Sequence, residues 1–333
     1  MEKIKLAHGS GGRLMHDLID SLFMKEFANK TLAEKRDSAI LKIGDKRIAF
    51  TTDSYVVNPI FFPGGDIGSL AVYGTVNDLS VCGAKPLFIS LAMIMEEGLD
   101  KSVLEKITAS IASAAKMTGT NIVTGDTKVV ERGSCDKVFI NTSGIGIVYY
   151  EGLSIDKIKV NDAVIVSGGI GEHAISVLSR REGIRFKTRV RSDSAPLNGL
   201  IQKVLKASGK VRFMRDPTRG GLATTLNEMA GGRRFGISID ERALPITAGV
   251  KDACELLGLD PLYLACEGRV VLVVAEEDAR KVVDVMRRDS DGKMAKIIGN
   301  ISDDYRGKVC LNTVSGGKRL VGMLSGEQLP RIC

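Results

Sequence analysis

Strand-like and helical patterns alternate along the whole chain without a regular strand–helix–strand period, and this mixture limits the folds that the chain can form. In the first half, apolar strand-like runs flank a helical pattern that begins at Asp66 and ends at Gly83. The apolar run at 87–96 after this pattern predicts a buried strand. A second helical pattern ends at Gly119 and precedes two more strand-like runs. The order of these segments predicts an α+β fold of two mixed domains rather than one doubly wound sheet.

A polar segment at 151–162 separates the two halves of the chain. With 333 residues, the chain is long enough for two domains of ordinary size. We therefore predict an N-terminal domain at 1–152, a C-terminal domain at 153–322 and a tail at 323–333. The tail is expected to be flexible because Gly326 leaves its backbone unrestricted.

The composition, with 44% hydrophobic and 26% charged residues, is that of an ordinary soluble globular protein. The net charge is +7, but the basic residues are spread out, and the one dense run, at 180–191, is interpreted first as a solvated face. Because Trp is absent and aromatic residues make up only 5%, a nucleic-acid partner is not expected. No signal peptide or apolar run of about 18 residues is present, so we expect a cytoplasmic protein without membrane contact.

The six cysteines lie at wide intervals, without a C-x-x-C motif and away from the three histidines. Neither a zinc site nor a disulfide framework is therefore indicated. Most of the cysteines lie in apolar stretches and are expected in the core, but Cys333 is the last residue of the chain. Its α-carboxylate should raise the pKa of the thiol, and Arg331 should lower it.

Aspartates recur at the ends of apolar runs and are candidate magnesium ligands. They are Asp37, Asp53, Asp78, Asp126 and Asp216. Carboxylates that converge from separate elements can hold Mg²⁺ together with substrate phosphates. Asp37 and Asp216 also suit turns or helix caps. Asp78 fits a purely structural role least, because it lies in a largely apolar helix, where an unpaired carboxylate is costly.

Two glycine-rich segments compete as phosphate-binding loops. One is the run Gly9, Ser10, Gly11 and Gly12, whose backbone N–H groups could face a phosphate, although glycine pairs also open helices merely as turns. The other, Gly169-x-Gly171-x-x-Ala174, resembles a dinucleotide fingerprint, but a basic segment follows it instead of a strand ending in an acid. A nicotinamide or flavin site is therefore the weaker interpretation.

Two further residues are candidates for acid–base chemistry. Lys128 follows the Gly-Asp-Thr turn and could contact a phosphate or a reacting group, or it could be an ordinary surface lysine. Glu267 begins an apolar strand, where desolvation would raise its pKa and suit it to act as a general base, although a solvated glutamate fits equally well.

Several segments taken together resemble one family over residues 8–333. They are "HGSGGR", "TTDSYVVNPIFFPGGDIG", "TVNDLSVCGAKP", "GDTKVVERG", "RDPTRGGLA" and the terminal "PRIC". They are similar to the HypE family of hydrogenase maturation proteins, the carbamoyl dehydratases. That family belongs to a wider ATP-binding group, which includes aminoimidazole ribonucleotide synthetase, selenophosphate synthetase and thiamine monophosphate kinase.

The resemblance implies a two-domain PurM-like fold. In it, an N-terminal mixed-sheet domain pairs in a homodimer, and a C-terminal α/β sandwich domain carries the tail. It also implies that HypF places a carbamoyl group on the terminal cysteine, and that ATP with Mg²⁺ drives its dehydration to a thiocyanate. The cyanide then passes to the HypC–HypD complex for the iron of [NiFe] hydrogenase. Another ATP-dependent enzyme of the wider group and a non-catalytic thiol scaffold are the alternatives.

The resemblance also assigns roles to individual residues of this sequence. It implies that Cys333, Lys128 and Glu267 are catalytic. ATP would be bound by Gly9, Ser10, Gly11, Gly12, Asp37, Asp53, Asp78 and Asp126, and the metal by Asp37, Asp53, Asp78, Asp126 and Asp216. The chain has Glu-His-Ala at 172–174 where the family pattern is Asp-His-Gly, so the resemblance assigns no role to His173. A tail reaching about 30 Å, at roughly 3.3 Å per residue, would lie inside the cleft with ATP and outside for carbamoylation.

Overall fold

The computed structural model describes residues 3–181, 188–326, 329 and 331–333. Residues 182–187, which make up half of the dense basic run, lie outside the described residues. Among the helices of the described part, none is long and apolar enough to cross a membrane.

The strands and helices follow the mixed order that the sequence predicts. The strands are β1 (Ala39–Ile43), β2 (Lys46–Tyr55), β3 (Phe61–Phe62), β4 (Gly65–Asp66), β5 (Ala84–Glu96), β6 (Asn121–Val130), β7 (Val138–Val148), β8 (Ala163–Val166), β9 (Val211–Arg215), β10 (Gly236–Asp240), β11 (Val271–Val274), β12 (Lys296–Ser302), β13 (Val309–Asn312) and β14 (Lys318–Val321). The helices are α1 (Arg13–Leu18), α2 (Met24–Glu26), α3 (Ile67–Val81), α4 (Lys101–Thr118), α5 (Glu172–Leu178), α6 (Asn198–Ala207), α7 (Gly221–Ala230), α8 (Ala248–Leu257) and α9 (Glu276–Arg287). A π-helical turn, Ile19–Phe23, joins α1 to α2.

The first sheet has the strand order β1-β2-β7-β5-β6, and its strands are antiparallel except for the parallel pair β5–β6. Helices α3 and α4 pack together, and α3 covers one face of the sheet. The other face is exposed and carries Phe50, Phe88 and Ile145, each about two-fifths exposed. The prediction of a fully buried strand at 87–96 is therefore wrong, because only one face of β5 is covered in the single chain.

Helix α3 begins and ends where the sequence predicts. The Asp66 carboxylate accepts hydrogen bonds from the N–H groups of Gly68 and Ser69, and Gly83 after the helix has a left-handed φ of 77°. Thirteen residues of the helix are buried, so it is a core helix rather than a surface one. A Cβ at Gly74 would collide with the Tyr55 hydroxyl, so this glycine permits close packing of α3 on β2.

The second sheet has the order β14-β13-β10-β12-β8-β11-β9. Its central strands β8 and β11 are buried throughout, because a separate layer of side chains packs on each face. Residues of α7 form the core on one face, and residues of α6 and α9 form the core on the other. The result is the α/β sandwich expected for the second half.

Hydrogen bonds from helix α3 connect the N-terminal half of the chain to the C-terminal half. The Asn77 amide on α3 donates to the carbonyl oxygens of Ala195 and Glu267 at 3.1 and 3.3 Å, and its oxygen accepts from the Leu197 N–H at 2.8 Å. Helices α5 and α8 share the first hydrophobic core with α3 and α4. The predicted boundary at 152 lies between β7 and β8 and stays a prediction.

Candidate active site

The last three residues of the chain lie inside the protein. The Val56 N–H donates to an α-carboxylate oxygen of Cys333, and the Asn58 N–H donates to the Arg331 carbonyl, both at 3.1 Å. The Ile332 side chain is 6% exposed and belongs to the first hydrophobic core. The tail is therefore docked on the segment that follows β2, with its terminal thiol pointing towards the groups around it.

A buried histidine holds the tail from the other side. His173 is 0% exposed, and its Nε2 lies 2.7 Å from the Ile332 carbonyl oxygen. A carbonyl can only accept, so Nε2 carries the proton, and Nδ1 accepts from the Ser192 hydroxyl at 2.8 Å. Burial lowers the pKa of the imidazole and keeps it neutral. His173, which sequence reasoning left without a role, therefore contacts the tail.

Cys333 is partly buried, and its thiol lies beside Glu267. Burial raises the pKa of this thiol to about 12, the nearby Glu267 raises it further, and Arg219 opposes the rise. The Arg331 guanidinium donates to Asp136 at 2.6 Å and to the Val56 carbonyl at 2.8 Å, and it lies over the Phe139 ring. Its expected lowering of the thiol pKa stays a prediction.

Glu267 is the acid closest to the thiol. It is 3% exposed, and its Oε1 has no hydrogen-bond partner among the described residues. Burial, and then the charges of Asp216 and Asp193, raise the pKa of its carboxyl group well above the ordinary value. The raised pKa favours the protonated form of Glu267, so a base role requires that a nearby cation or a change in the tail lowers this pKa.

Four of the predicted aspartates lie together beside the thiol. The carboxyl groups of Asp53 and Asp78 are hydrogen-bonded to each other, and the Thr51 hydroxyl donates to Asp78 at 2.8 Å. Burial, Asp37 and Asp53 raise the pKa of Asp216 to about 8. These carboxyl groups converge from β2, α3 and the segment after β9, which no local sequence pattern could reveal.

Asp37 lies at the edge of this cluster and is already paired. The Arg215 guanidinium donates to Asp37 at 2.7 Å and contacts Glu228 at 2.9 Å. His16 lies 2.8 Å from the other oxygen of Glu228. Burial still raises the pKa of Asp37 despite Arg215. A chain of charges thus links α1 to the aspartate cluster.

The N-terminal glycine run packs against the same region. A Cβ at Gly11, whose φ is 79°, would lie 2.7 Å from the Cβ and the carbonyl oxygen of Arg219. The Ser10 hydroxyl donates to the Gly326 carbonyl at 3.3 Å, and the Arg13 N–H donates to Leu324 at 2.8 Å. Only residues without a side chain allow this close approach, so the run lies directly on the tail and on Arg219.

A cavity of about 160 Å³ joins these groups. Its lining includes Gly9, Ser10, Ser54, Arg219, Tyr263 and Cys333. Arg219, from the "RDPTRGG" segment, was missed by sequence reasoning because only the aspartate of that segment was considered. The sequence feature that could have identified Arg219 is a cationic residue three positions after Asp216 and directly before a glycine pair.

Asp126 and Lys128 lie elsewhere. They are paired with each other at 2.8 Å in the middle of β6, not at a strand end, and their side chains are 62% and 66% exposed. Across the sheet, Asp53 on β2 pairs with Thr142 on β7, which pairs with Leu91 on β5, which pairs with Gly125 on β6. Asp126, the next residue on β6, is therefore three strand spacings from Asp53, or about 14 Å. Asp126 also shares the exposed face with Asn141, whereas Asp53 faces α3. Within one chain they do not meet the cluster.

In the second glycine-rich segment, Gly169-x-Gly171-x-x-Ala174, side chains already form hydrogen bonds with the backbone groups of both glycines. Arg269 donates to the Gly169 carbonyl at 2.9 Å and to Glu172 at 2.7 Å, and the Gly171 N–H donates to the Cys266 sulfur at 3.2 Å. These contacts leave no cradle for a dinucleotide phosphate. In the described part of the chain, no group of three or more His, Cys, Asp or Glu side chains is arranged to hold a metal ion.

Comparison with known protein families defines the class of the protein. The N-terminal domain of AIR synthase related proteins matches residues 35–148, and the C-terminal domain of the same proteins matches residues 159–312. The predicted α+β fold of PurM-like type is therefore confirmed.

Individual relatives narrow the class further. Carbamoyl dehydratase HypE of Bradyrhizobium diazoefficiens is 48% identical over 333 residues, which cover 99% of this chain and 96% of that protein. A chain in the crystal structure of a HypE–HypF complex is 48% identical, with a TM-score of 0.87 and coverage of 92% and 99%. HypE crystallised with ATP is 47% identical, with a TM-score of 0.83 and coverage of 99% and 100%. The chain belongs to the HypE family of carbamoyl dehydratases.

Proposed function

We propose that this chain uses ATP to dehydrate a carbamoyl group carried on the sulfur of Cys333, leaving a thiocyanate. One observation carries the proposal: the terminal thiol lines a cavity together with Gly9 and Ser10 of the glycine run, and the charges of Glu267 and Asp53 act on it. A cysteine that served only as a scaffold would not need to be buried among ionisable groups. The ATP complex of a relative with 47% identity supports ATP as the co-substrate.

The chemistry explains why ATP is needed. The carboxamide oxygen is a poor leaving group until it is phosphorylated. In the balanced reaction, the thiocarbamate and ATP give thiocyanate, ADP and phosphate. The carbamoyl oxygen attacks the γ-phosphorus, ADP leaves, and the C–O bond then breaks as the nitrogen protons depart. We assign Glu267 to accept one of these protons, because it interacts with the Cys333 thiol and its Oε1 has no hydrogen-bond partner among the described residues.

Magnesium fits the carboxyl groups of the cluster. After burial, the charges of Asp53 and Asp216 raise the pKa of Asp78, and the charges of Asp37 and Asp53 raise the pKa of Asp216, so a divalent cation would relieve this repulsion. Asp37 is a weaker candidate since Arg215 already neutralises it. When bound, Mg²⁺ would offset the negative charge of the ATP phosphates. Its remaining ligands would come from the phosphates and water, in keeping with the lack of a complete protein site among the described residues.

A homodimer would bring Asp126 and Lys128 into a complete site. Strand β6 is a ten-residue edge strand, and Val123 and Val129 on it are 57% and 64% exposed. A long apolar edge strand has unpaired backbone groups, and beside an exposed sheet face it favours pairing with a second copy of the chain. We propose that this pairing covers the open face and presents Asp126 and Lys128 to the ATP of the partner subunit.

The tail must leave the cavity for the other steps. In the docked position the pKa of the Cys333 thiol is raised to about 12, so little thiolate is present to attack a carbamoyl donor on another protein. We propose that HypF loads Cys333 with the tail outside; the crystal structure of a HypE–HypF complex supports HypF as the partner. The cyanide would then pass to a HypC–HypD complex in the cytoplasm, again with the tail outside.

Intact mass spectrometry tests the proposal. The chain is incubated with HypF and carbamoyl phosphate, freed of HypF, and then given ATP and Mg²⁺. We expect a carbamoyl adduct on Cys333 that loses one water only when ATP is added. Cys333→Ser should gain no adduct, and Glu267→Gln should be carbamoylated but keep its water. An adduct that persists unchanged with ATP in the unmodified chain would refute the proposal.

A further inference from the structure

We infer that Arg219 binds the γ-phosphoryl group of ATP and stabilises it during transfer to the carbamoyl oxygen. This inference rests on the proposed function. It gives a role to a residue that neither the motifs nor the aspartate cluster assigned.

The first observation that supports this inference is the position of Arg219. It precedes Gly220 and Gly221, which have left-handed φ values of 76° and 59° and turn the chain into α7. Its side chain lines the cavity together with Gly9, Ser10 and Cys333. The backbone of Gly11 approaches it so closely that any side chain there would collide with it. Arg219 therefore lies between the glycine run and the thiol.

The charge of Arg219 is available for a ligand. No hydrogen bond or ion pair of its guanidinium is formed with the described residues, and the side chain is exposed to the cavity. By contrast, Arg215 pairs with Asp37, and Arg331 pairs with Asp136. The strongest charge interaction of Arg219 is with Cys333, followed by Asp53 and Glu267. It is thus a cation surrounded by acids at some distance, without being bound to any of them.

The chemistry of the reaction needs a cation at this point. The carbamoyl oxygen is two bonds from the sulfur of Cys333, so the γ-phosphorus that it attacks must come close to the thiol. During transfer, negative charge is spread over three phosphoryl oxygens, and a guanidinium can donate to two of them at once. When the C–O bond breaks, the same guanidinium can accompany the phosphate that leaves. No atom of Arg219 enters the balanced reaction.

Nucleotide binding separates this role from a structural one. Binding of AMPPCP and of ADP, each with Mg²⁺, is measured by calorimetry for the unmodified chain, Arg219→Gln and Arg219→Lys. We expect Arg219→Gln to weaken AMPPCP binding by about 10- to 100-fold and to leave ADP binding within about twofold. Arg219→Lys should lose less. The exposed Arg306→Gln serves as the control and should change neither affinity.

Single-turnover dehydration provides the second measurement. On chains already carbamoylated at Cys333, we expect Arg219→Gln to slow the loss of water by about 100- to 1,000-fold, the effect of removing one transition-state donor. If the unmodified chain never loses water, the proposed function fails instead. If it does, and Arg219→Gln binds AMPPCP normally or weakens AMPPCP and ADP equally, the inference is overturned. Melting temperatures establish that each variant is folded.

Discussion

Replacing His173 by Phe should release the docked tail. Phe preserves the ring and its edge contact with Phe62, whose centroid is 5.2 Å away, but it cannot donate to the Ile332 carbonyl. That carbonyl would then be buried without its partner, at a cost of about 1–3 kcal/mol. The ratio of docked to undocked tails should therefore fall by about 5- to 150-fold.

Alkylation of Cys333 measures this ratio. The docked thiol is unreactive because its pKa is raised to about 12, whereas an undocked thiol ionises near its ordinary pKa. The rate of iodoacetamide labelling, followed on the C-terminal peptide at pH 8 without ATP, should rise by the same 5- to 150-fold in His173→Phe. Ser192→Ala is the matched control: it removes the bond to Nδ1 and the one accepted from the Ser194 N–H, but it leaves the donor to the Ile332 carbonyl in place and should raise the rate much less.

One result would refute this reasoning. If His173→Phe is folded, as judged by its melting temperature, and labels at the rate of the unmodified chain, then His173 does not limit tail release. The backbone bonds from Val56 and Asn58 to the tail would then be sufficient to hold it.

Three further predictions concern pH, the aspartate cluster and the dimer. Because burial lowers the pKa of His173 below 6.5, the stabilising contribution of the neutral imidazole is present above about pH 6.5 and is lost as the pH falls. The melting temperature of His173→Phe should therefore depend less on pH between 7 and 5 than that of the unmodified chain. The pKa of Asp216 is raised from 3.8 to about 8, so the folded state holds a proton that the unfolded chain releases, and stability declines as the pH rises through this window. Asp216→Asn should therefore raise the melting temperature at pH 8 but not at pH 4, and an equal change at both would contradict this assignment. Val129→Glu on β6 should shift a dimer towards monomer in sedimentation experiments, while Val314→Glu, an exposed valine outside this sheet, should not; a dimer unchanged by Val129→Glu would exclude this edge.

The local chemistry of the sequence predicted most of the secondary structure correctly. Helix α3 runs from its cap at Asp66 to the left-handed Gly83, and α4 ends before Gly119, because caps and glycine conformations act over a few residues. Strand β5 was predicted as buried and is open on one face. An apolar run shows that a strand will be covered, but it does not show whether its own chain or a second copy covers it.

The candidate site was predictable in its residue types but not in its arrangement. For Glu267 the sequence left a desolvated and a solvated position open, and the structure buries it. Asp78 was the aspartate least suited to a structural role, and in the structure it pairs with Asp53, which leaves its role a prediction. Asp126 and Lys128 looked equivalent to the other candidates, yet their strand places them on the opposite face of the sheet. The side on which a residue lies depends on register across four strands, which no short motif contains.

The sequence by itself determined that a cysteine ends the chain, that acids and glycines recur in family-specific segments, and that the fold is mixed α+β. Only the tertiary structure decided that Cys333 docks beside Glu267 and that His173 donates to the Ile332 carbonyl. It also decided that Arg219 is a cation whose charge acts on the thiol. The physical reason is distance along the chain. His173 and Ile332 are 159 residues apart, so their contact exists only after both sheets have folded and α5 has packed against α3.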